Sequence, residues 1–272
     1  MDINGTSVLV TGASSGIGAE LAPQLAAAGA RKVTLVARRV DRLEVVAESV
    51  RANGAEPFII AADLSDVARA EEVVHEAWDA MGGIDCLVNN AAVGKRKHVL
   101  DMRRDELEHV MTTNFLSPIQ MAMVAIRKML DANGGCIVNV GSMGGRIGIA
   151  RESAYCAAKF AMSGWSEAAA MDLMATSVSI KLVLPGPIET EIWQVQPGEL
   201  PGAYEGPFVS AADCATSIVE AIADDGFEYY VPAEPFPGFK QKDLVVGKTQ
   251  NVDAMLPAMA KMADDFHHDA HR

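Results

Sequence analysis

The chain has 272 residues, half of them hydrophobic and only 6% aromatic, which suits one large α/β domain with a sizeable core. Its formal net charge of −13, from 23 basic against 36 acidic residues, repels phosphate backbones and anionic membrane surfaces, so nucleic acid is excluded as an expected partner. No apolar run approaches the roughly 20 residues needed to span a bilayer, and membrane insertion is likewise not expected.

Short apolar runs alternate with helical patterns from the start to about residue 232, the sign of repeated βαβ units around a parallel sheet. Strands are predicted to begin near Ser7, Val33, Phe58, Ile84, Cys136, Ser179 and Glu228, and their unbroken apolar character suits burial on both faces. Helices are predicted over 16–29, 40–53, 66–80, 103–130, 153–175 and 210–223, with Gly29, Gly54 and Gly134 placed to close helices in a left-handed cap. The expected architecture is a doubly wound α/β fold of the Rossmann type, with about seven parallel strands and helices on both faces. One domain would cover 1–240, including a substrate loop over 186–209 that is too long for an ordinary connection. A helical or polar tail would cover 241–272. The four cysteines, Cys86, Cys136, Cys156 and Cys214, form no CxxC pair, and the first residues carry neither a basic nor an apolar leader segment. A cytoplasmic protein with reduced thiols is expected.

Thr11-Gly12-Ala13-Ser14-Ser15-Gly16-Ile17-Gly18 follows the first strand and opens a helix, the context in which a glycine pattern signals a dinucleotide. Gly12 permits the turn, Gly16 admits a pyrophosphate close to the backbone, and Gly18 lets the helix pack on the strand. The helix N-terminus receives the anion. About 20 residues further on, an NAD site would carry an acid for the ribose hydroxyls. Arg38 and Arg39 stand there instead, a fork suited to a 2′-phosphate with no acid beside it to repel that group, so NADP(H) is favoured over NAD(H).

Tyr155 and Lys159 share one face of a predicted helix. A phenol is a poor base near neutrality, but an adjacent ammonium favours its ionised form and makes proton exchange with an alcohol or carbonyl feasible. By itself this spacing also occurs on many surface helices, and its context decides its meaning.

With these motifs in order over roughly residues 6–232, the chain resembles the single-domain short-chain dehydrogenases/reductases. The resemblance assigns Gly12, Ser14, Ser15, Gly16, Ile17 and Gly18 to the cofactor, together with Asp63 and Leu64 beside the adenine. Asn89-Asn90-Ala91-Ala92 resembles the family's NNAG run: Asn89 would support the sheet, Asn90 and Ala91 would follow the cofactor, and Ala92 replaces a glycine. The family's catalytic tetrad falls on Asn114, Ser142, Tyr155 and Lys159, with thirteen residues from Ser142 to Tyr155. In that reading Ser142 stabilises charge on the substrate oxygen, Tyr155 passes the proton, Lys159 lowers the Tyr155 pKa and holds the nicotinamide ribose, and Asn114 anchors a water relay to Lys159. Pro185-Gly186-Pro187-Ile188-Glu189-Thr190 resembles the family's PGxxxT, which places Pro185, Gly186, Ile188 and Thr190 at the nicotinamide. The family is also usually dimeric or tetrameric.

An apolar lining of Val93, Gly94, Met143, Ile147, Ile149, Ile192, Trp193, Val195, Leu200, Tyr204 and Phe208 points to a lipophilic small-molecule substrate, a secondary alcohol or ketone. The alternatives are an NAD-dependent hydroxysteroid-like dehydrogenase, or a cofactor-binding protein of the same fold without chemistry, whose sign would be loss of Ser142, Tyr155 or Lys159. His267, His268 and His271 read as a solvated tail, and no metal is expected. The Met-rich stretch around Met255 and Met259 is expected to cover either a neighbouring subunit or the substrate mouth.

Overall fold

The computed structural model describes residues 1–202, 204, 206–235, 238 and 240–265, with backbone alone at 258 and 261–265. Seven parallel strands form one sheet in the order β3-β2-β1-β4-β5-β6-β7: β1 Ser7–Thr11, β2 Lys32–Ala37, β3 Glu56–Ala61, β4 Cys86–Asn89, β5 Gly135–Val140, β6 Val178–Pro185 and β7 Glu228–Val231. The order reverses between β1 and β4, so the two neighbouring crossovers leave in opposite directions and open a crevice at the carboxyl ends of these strands. Every strand runs the same way. The segments that follow them therefore meet on one edge, which gathers all the candidate motifs.

Two apolar layers sandwich the sheet. On one face α1 (Gly16–Ala27), α2 (Val40–Ala52) and α7 (Ala211–Ala223) bury Leu21, Leu25, Leu43, Val50 and Ile218 against Val10, Val33 and Leu35. On the other, α3 (Val67–Met81), α5 (Ser117–Leu130) and α6 (Ser153–Leu173) cover Leu9, Leu87 and Ile137 with Val73, Val74, Met121 and Met129. Each such side chain contributes about 1.5–3 kcal/mol by leaving water. Gly29, Gly54 and Gly134 take the left-handed conformation expected of them.

Where a single helix over 103–130 was expected, the chain forms α4 (Arg104–Met111), a π-helical turn at Thr112–Leu116, and α5. The wide turn centres on fully buried Asn114, whose side chain satisfies both backbone groups of Val93: Oδ1 accepts from N–H and Nδ2 donates to C=O, each at 2.8 Å. The predicted fourth strand starts two residues late, at Cys86, although Asp85 already shares backbone hydrogen bonds with Ser7 and Cys136 and its carboxylate accepts the Ser7 N–H at 2.7 Å. Beyond β7 the tail folds into α8 (Gln241–Gln250) and α9 (Val252–Asp265). The histidines at 267, 268 and 271 lie outside the described residues.

Candidate active site

Sequence-predicted residues from six loops line one cavity of about 1130 Å³. Of the cofactor and tetrad candidates, only Gly18 and Asn114 stand behind its wall. Gly18 is held against β1: a Cβ there would strike the Gly12 carbonyl and come within 2.7 Å of Asn90 Nδ2. Gly12 is as confined, its Cβ position lying 2.9 Å from Ala91 Cα. Thr11 and Asn90 lock this corner, since Thr11 Oγ1 accepts from the Asn90 and Ala91 amides at 2.9 and 3.0 Å, while Asn90 Nδ2 donates to the Thr11 carbonyl at 2.9 Å. Asn90 thus shapes the turn. The first turn of α1 carries no acidic residue, so its N-terminal amides present an uncompensated positive pole to the cavity.

Asn89 supports the sheet as the resemblance implies. Its Nδ2 donates to the Pro118 carbonyl at 3.0 Å and to Asn139 Oδ1 at 2.9 Å. Asn139 in turn donates to Ser166 on α6 at 2.9 Å. This buried chain of amides ties β4 and β5 to the helix that carries Tyr155 and Lys159, and it fixes the height of that helix over the sheet.

At the end of β5, Ser142 caps a short turn, its hydroxyl accepting the Gly144 N–H at 3.0 Å. Tyr155 and Lys159 lie on adjacent turns of α6, with Lys159 Nζ 5.8 Å from the tyrosine ring centre. The ammonium is buried and donates to the Val140 carbonyl at 2.7 Å. Burial pulls it from its ordinary 10.5 to about 8. Lys159 is expected to lower the Tyr155 pKa, but the phenol is shifted the other way and Lys159 is not among the causes. Burial pushes the phenol well above its ordinary value, a hydrogen bond with Ser142 counters this only in part, and the Glu152 carboxyl adds to the rise. Asn114 binds the Val93 backbone through both its amide oxygen and its amide nitrogen, and among the described residues no direct hydrogen bond joins it to Lys159.

The arginine fork is arranged differently from the expectation. Arg38 points out beside Asp63 at 3.9 Å, both more than half exposed. Arg39 instead turns inward: Nη2 donates to Ser15 Oγ at 2.9 Å and Ser14 Oγ at 3.2 Å, and Nη1 donates to Glu191 at 2.9 Å. Arg42, one helical turn on, donates to the same carboxylate. The fork therefore does meet acids, Asp63 and Glu191, which the local sequence did not place there.

At the far end, Val93, Gly94, Met143, Ile147, Ile149, Ile192, Trp193 and Tyr204 line the cavity as predicted, whereas Val195, Leu200 and Phe208 do not. Phe208 serves the loop's own packing, with its ring 5.1 Å from Trp193 and 5.4 Å from Tyr204. One feature escaped the sequence reading. Arg96 is 3% exposed, donates to Glu152 at 2.8 Å and to the Ile192 carbonyl at 2.9 Å, and lies 4.8 Å from the Trp193 ring, so one buried cation pins the substrate loop to the start of α6. The Met-rich tail, expected over a neighbouring subunit or the substrate mouth, sets Gln241, Leu244, Met255 and Met259 in the lining of the cavity. Cys156, buried with its thiol pushed up to about 11, accepts the Ile149 N–H and takes a packing position. Among the described residues no group of three His, Cys, Asp or Glu side chains could hold a metal ion, and no helix is long and apolar enough to cross a membrane.

Comparison with known proteins gives this geometry its context. Residues 6–199 match the family model described as short chain dehydrogenase. The chain is 31% identical over 194 residues to the 3-oxoacyl-(acyl-carrier-protein) reductase FabG of Staphylococcus aureus, covering 71% of this chain and 79% of that one. It is 32% identical over 235 residues to the dehydrogenase/reductase SDR family protein 7-like of Anopheles gambiae, covering 82% and 74%. The crystal structure of a short chain dehydrogenase/reductase from Burkholderia phymatum in complex with NAD matches with a TM-score of 0.82 over 94% of this chain and 96% of that one, a likeness of fold at 23% identity. Sheet order, glycine cradle and sequence likeness agree: the chain belongs to the short-chain dehydrogenase family, and it is an oxidoreductase acting on CH–OH and keto groups.

Proposed function

We propose that this chain is an NADP(H)-preferring oxidoreductase that interconverts a lipophilic secondary alcohol and its ketone, with Tyr155 as the proton donor and acceptor. One observation carries the reading: a single cavity runs from the glycine cradle and Arg39, past Ser142 and Tyr155, to an apolar mouth under Trp193 and Met255. A dinucleotide fits the residues present. The cradle has no room for a side chain at Gly16, where a Cβ would lie 2.9 Å from Thr190 Cγ2, and its serines and helix N-terminus face the same space.

In this reading Ser14, Ser15 and the first amides of α1 hold the phosphates, and Asp63, Leu64 and Ala91 border the adenine side. Arg39, with Arg38 and Arg42 nearby, receives the 2′-phosphate. Pro185, Gly186, Ile188 and Thr190 border the nicotinamide. NADP(H), when bound, supplies or accepts the hydride. Ser142 donates a hydrogen bond to the substrate oxygen, and Tyr155 gives that oxygen a proton in reduction or removes one in oxidation. At neutral pH the phenol holds its proton, as its ordinary value already dictates and as burial reinforces, and that is the form carbonyl reduction uses. Asn114 secures the Val93 loop beneath the substrate, and Lys159 supplies the positive charge that a departing Tyr155 proton leaves wanting.

A panel of ketones and alcohols assayed with both cofactors by nicotinamide absorbance tests the proposal. Apolar ketones with NADPH should give the highest kcat/KM; a preference for small charged sugars or amino acids, or equal use of NADH, would overturn it. Exposed Leu107, Leu116 and Met171 on α4, the π-helical turn and α6 offer a face for a homodimer or homotetramer, which light scattering would read directly.

A further inference from the structure

Glu191 follows Thr190 on the substrate loop and reaches back to the start of α2. Its two carboxylate oxygens accept from Arg39 and Arg42, one each. Arg39 is simultaneously bonded to Ser14 and Ser15 in the cradle. Thr190, one residue earlier, sets its methyl against Gly16, where an added Cβ would lie 2.9 Å from it. The substrate loop thus touches the cofactor cradle with two consecutive side chains, and the second occupies the donors that would recognise a phosphate on the adenosine ribose.

Carboxylate and phosphomonoester compete for guanidinium donors on unequal terms. The carboxylate carries one charge and two acceptor atoms; the phosphomonoester carries close to two charges at neutral pH and three acceptor oxygens. The pairs to be broken are exposed, at 41% for Arg39, 44% for Arg42 and 38% for Glu191, so solvent screens them and they exchange readily. A ribose with only a hydroxyl at the 2′ position brings no charge to the contest.

We propose that Glu191 is a specificity-determining residue, a built-in carboxylate that holds Arg39 and Arg42 until a ribose 2′-phosphate takes them. Resting on the NADP(H) reading above, the inference adds that the chain's preference for the phosphorylated dinucleotide is smaller than its arginines alone would give. It also adds that the phosphorylated cofactor alone detaches the loop from α2. With the unphosphorylated dinucleotide, Glu191 stays on the arginines.

Fluorescence titration of the full chain with NADPH and NADH tests this, using wild type, Glu191→Gln and an Arg39→Ala/Arg42→Ala double variant. Adenosine 2′,5′-bisphosphate and adenosine 5′-monophosphate serve as displacing probes of the ribose subsite. Glu191→Gln should tighten NADPH and the bisphosphate about threefold to tenfold, the scale of two exposed ion pairs, and leave NADH and the monophosphate unimproved. The gain should shrink as added salt screens the site. Unchanged NADPH binding, or equal tightening of both cofactors, would overturn the inference; if the double arginine variant has meanwhile lost its NADPH preference, the cofactor reading survives that failure. An NADPH affinity indifferent to loss of both arginines would overturn the cofactor reading and this inference together.

Discussion

The glycine cradle and the substrate mouth line the same cavity, yet they are built from opposite materials. At the cradle the backbone does the positioning: Gly12 and Gly18 sit where any Cβ would collide with Ala91, Asn90 or the Gly12 carbonyl, and Thr11 and Asn90 lock the turn through backbone groups. At the mouth, side chains far apart in sequence make the wall, with Arg96, Glu152, Trp193, Leu244 and Met255 drawn from five segments. A backbone-built site constrains which residues can stand at fixed spacings, while a side-chain-built site leaves no local pattern. The family match reflects this division, since it ends at residue 199, inside the substrate loop and short of the tail helices that close the mouth.

The largest effect should come where the two regions meet. Tyr155→Phe keeps the ring and its packing but removes the proton, and general acid catalysis accounts for roughly 10²–10⁴ in rate. Turnover should fall by that factor, with cofactor affinity and thermal unfolding nearly unchanged. Steady-state kinetics retaining more than a tenth of wild-type kcat on a good substrate would remove Tyr155 from its proposed role.

Next in size is Arg96→Ala, which tests whether the mouth depends on one buried charge pair. Removing one member leaves Glu152 buried with its carboxyl already held up by desolvation, a loss that typically costs about 3–5 kcal/mol. Chemical denaturation should show that destabilisation, and limited proteolysis should cut the substrate loop earlier. An exchange of Arg96 for Ala without loss of stability would mean that the loop is held by its aromatic cluster instead.

Lys159 gives a pH test. Its pKa in the folded chain, about 8 against an ordinary 10.5, means that the folded state binds fewer protons than the unfolded state between these values. Stability contributed by this group therefore rises with pH across that window, and burial of the charge weighs against the fold below it. Relative to Lys159→Met, the wild type should gain on the order of 3 kcal/mol between pH 7 and pH 11. Parallel stability profiles for the two proteins would show that Lys159 is not desolvated as the structure has it.

Gly18→Ala probes the backbone-built side. The added methyl meets Gly12 and Asn90, so the cradle should distort at a cost of about 1–3 kcal/mol, with both cofactors weakened alike. A variant that lost NADPH but not NADH would place Gly18 in the ribose subsite rather than in the helix-to-strand contact.

These contrasts also explain what was legible in the sequence. Strands buried on both faces announced themselves as unbroken apolar runs, and the glycine, NNAA, Tyr-Lys and PGPIET segments each keep their register within a few residues. The π-helical turn at Thr112–Leu116 stayed hidden because its cause, the pairing of Asn114 with Val93, joins residues 21 apart without altering the apolar pattern around it. Arg42 could have been found one turn after Arg39 on the same helix face. Glu191 could not, for its partners lie about 150 residues away and only the closed sheet brings them together.

The smallest expected effect lies at the mouth. Met255 lies on α9, beyond the family match, and reaches the cavity only because α8 returns along β7 with Gln241 buried against Gly186. Shortening it to Ala removes a flexible apolar wall that solvent can partly replace, so stability should barely move. Discrimination between substrates should move instead, by about tenfold or less, because methylene contacts in an apolar pocket are worth only a few kcal/mol at most. Met255→Ala should therefore raise KM for long apolar ketones, leave KM for short ones and the affinity for NADPH unchanged, and show the same kcat for both. Equal losses for short and long substrates would locate Met255 outside the path of the substrate and return the choice of substrate to the Trp193 loop.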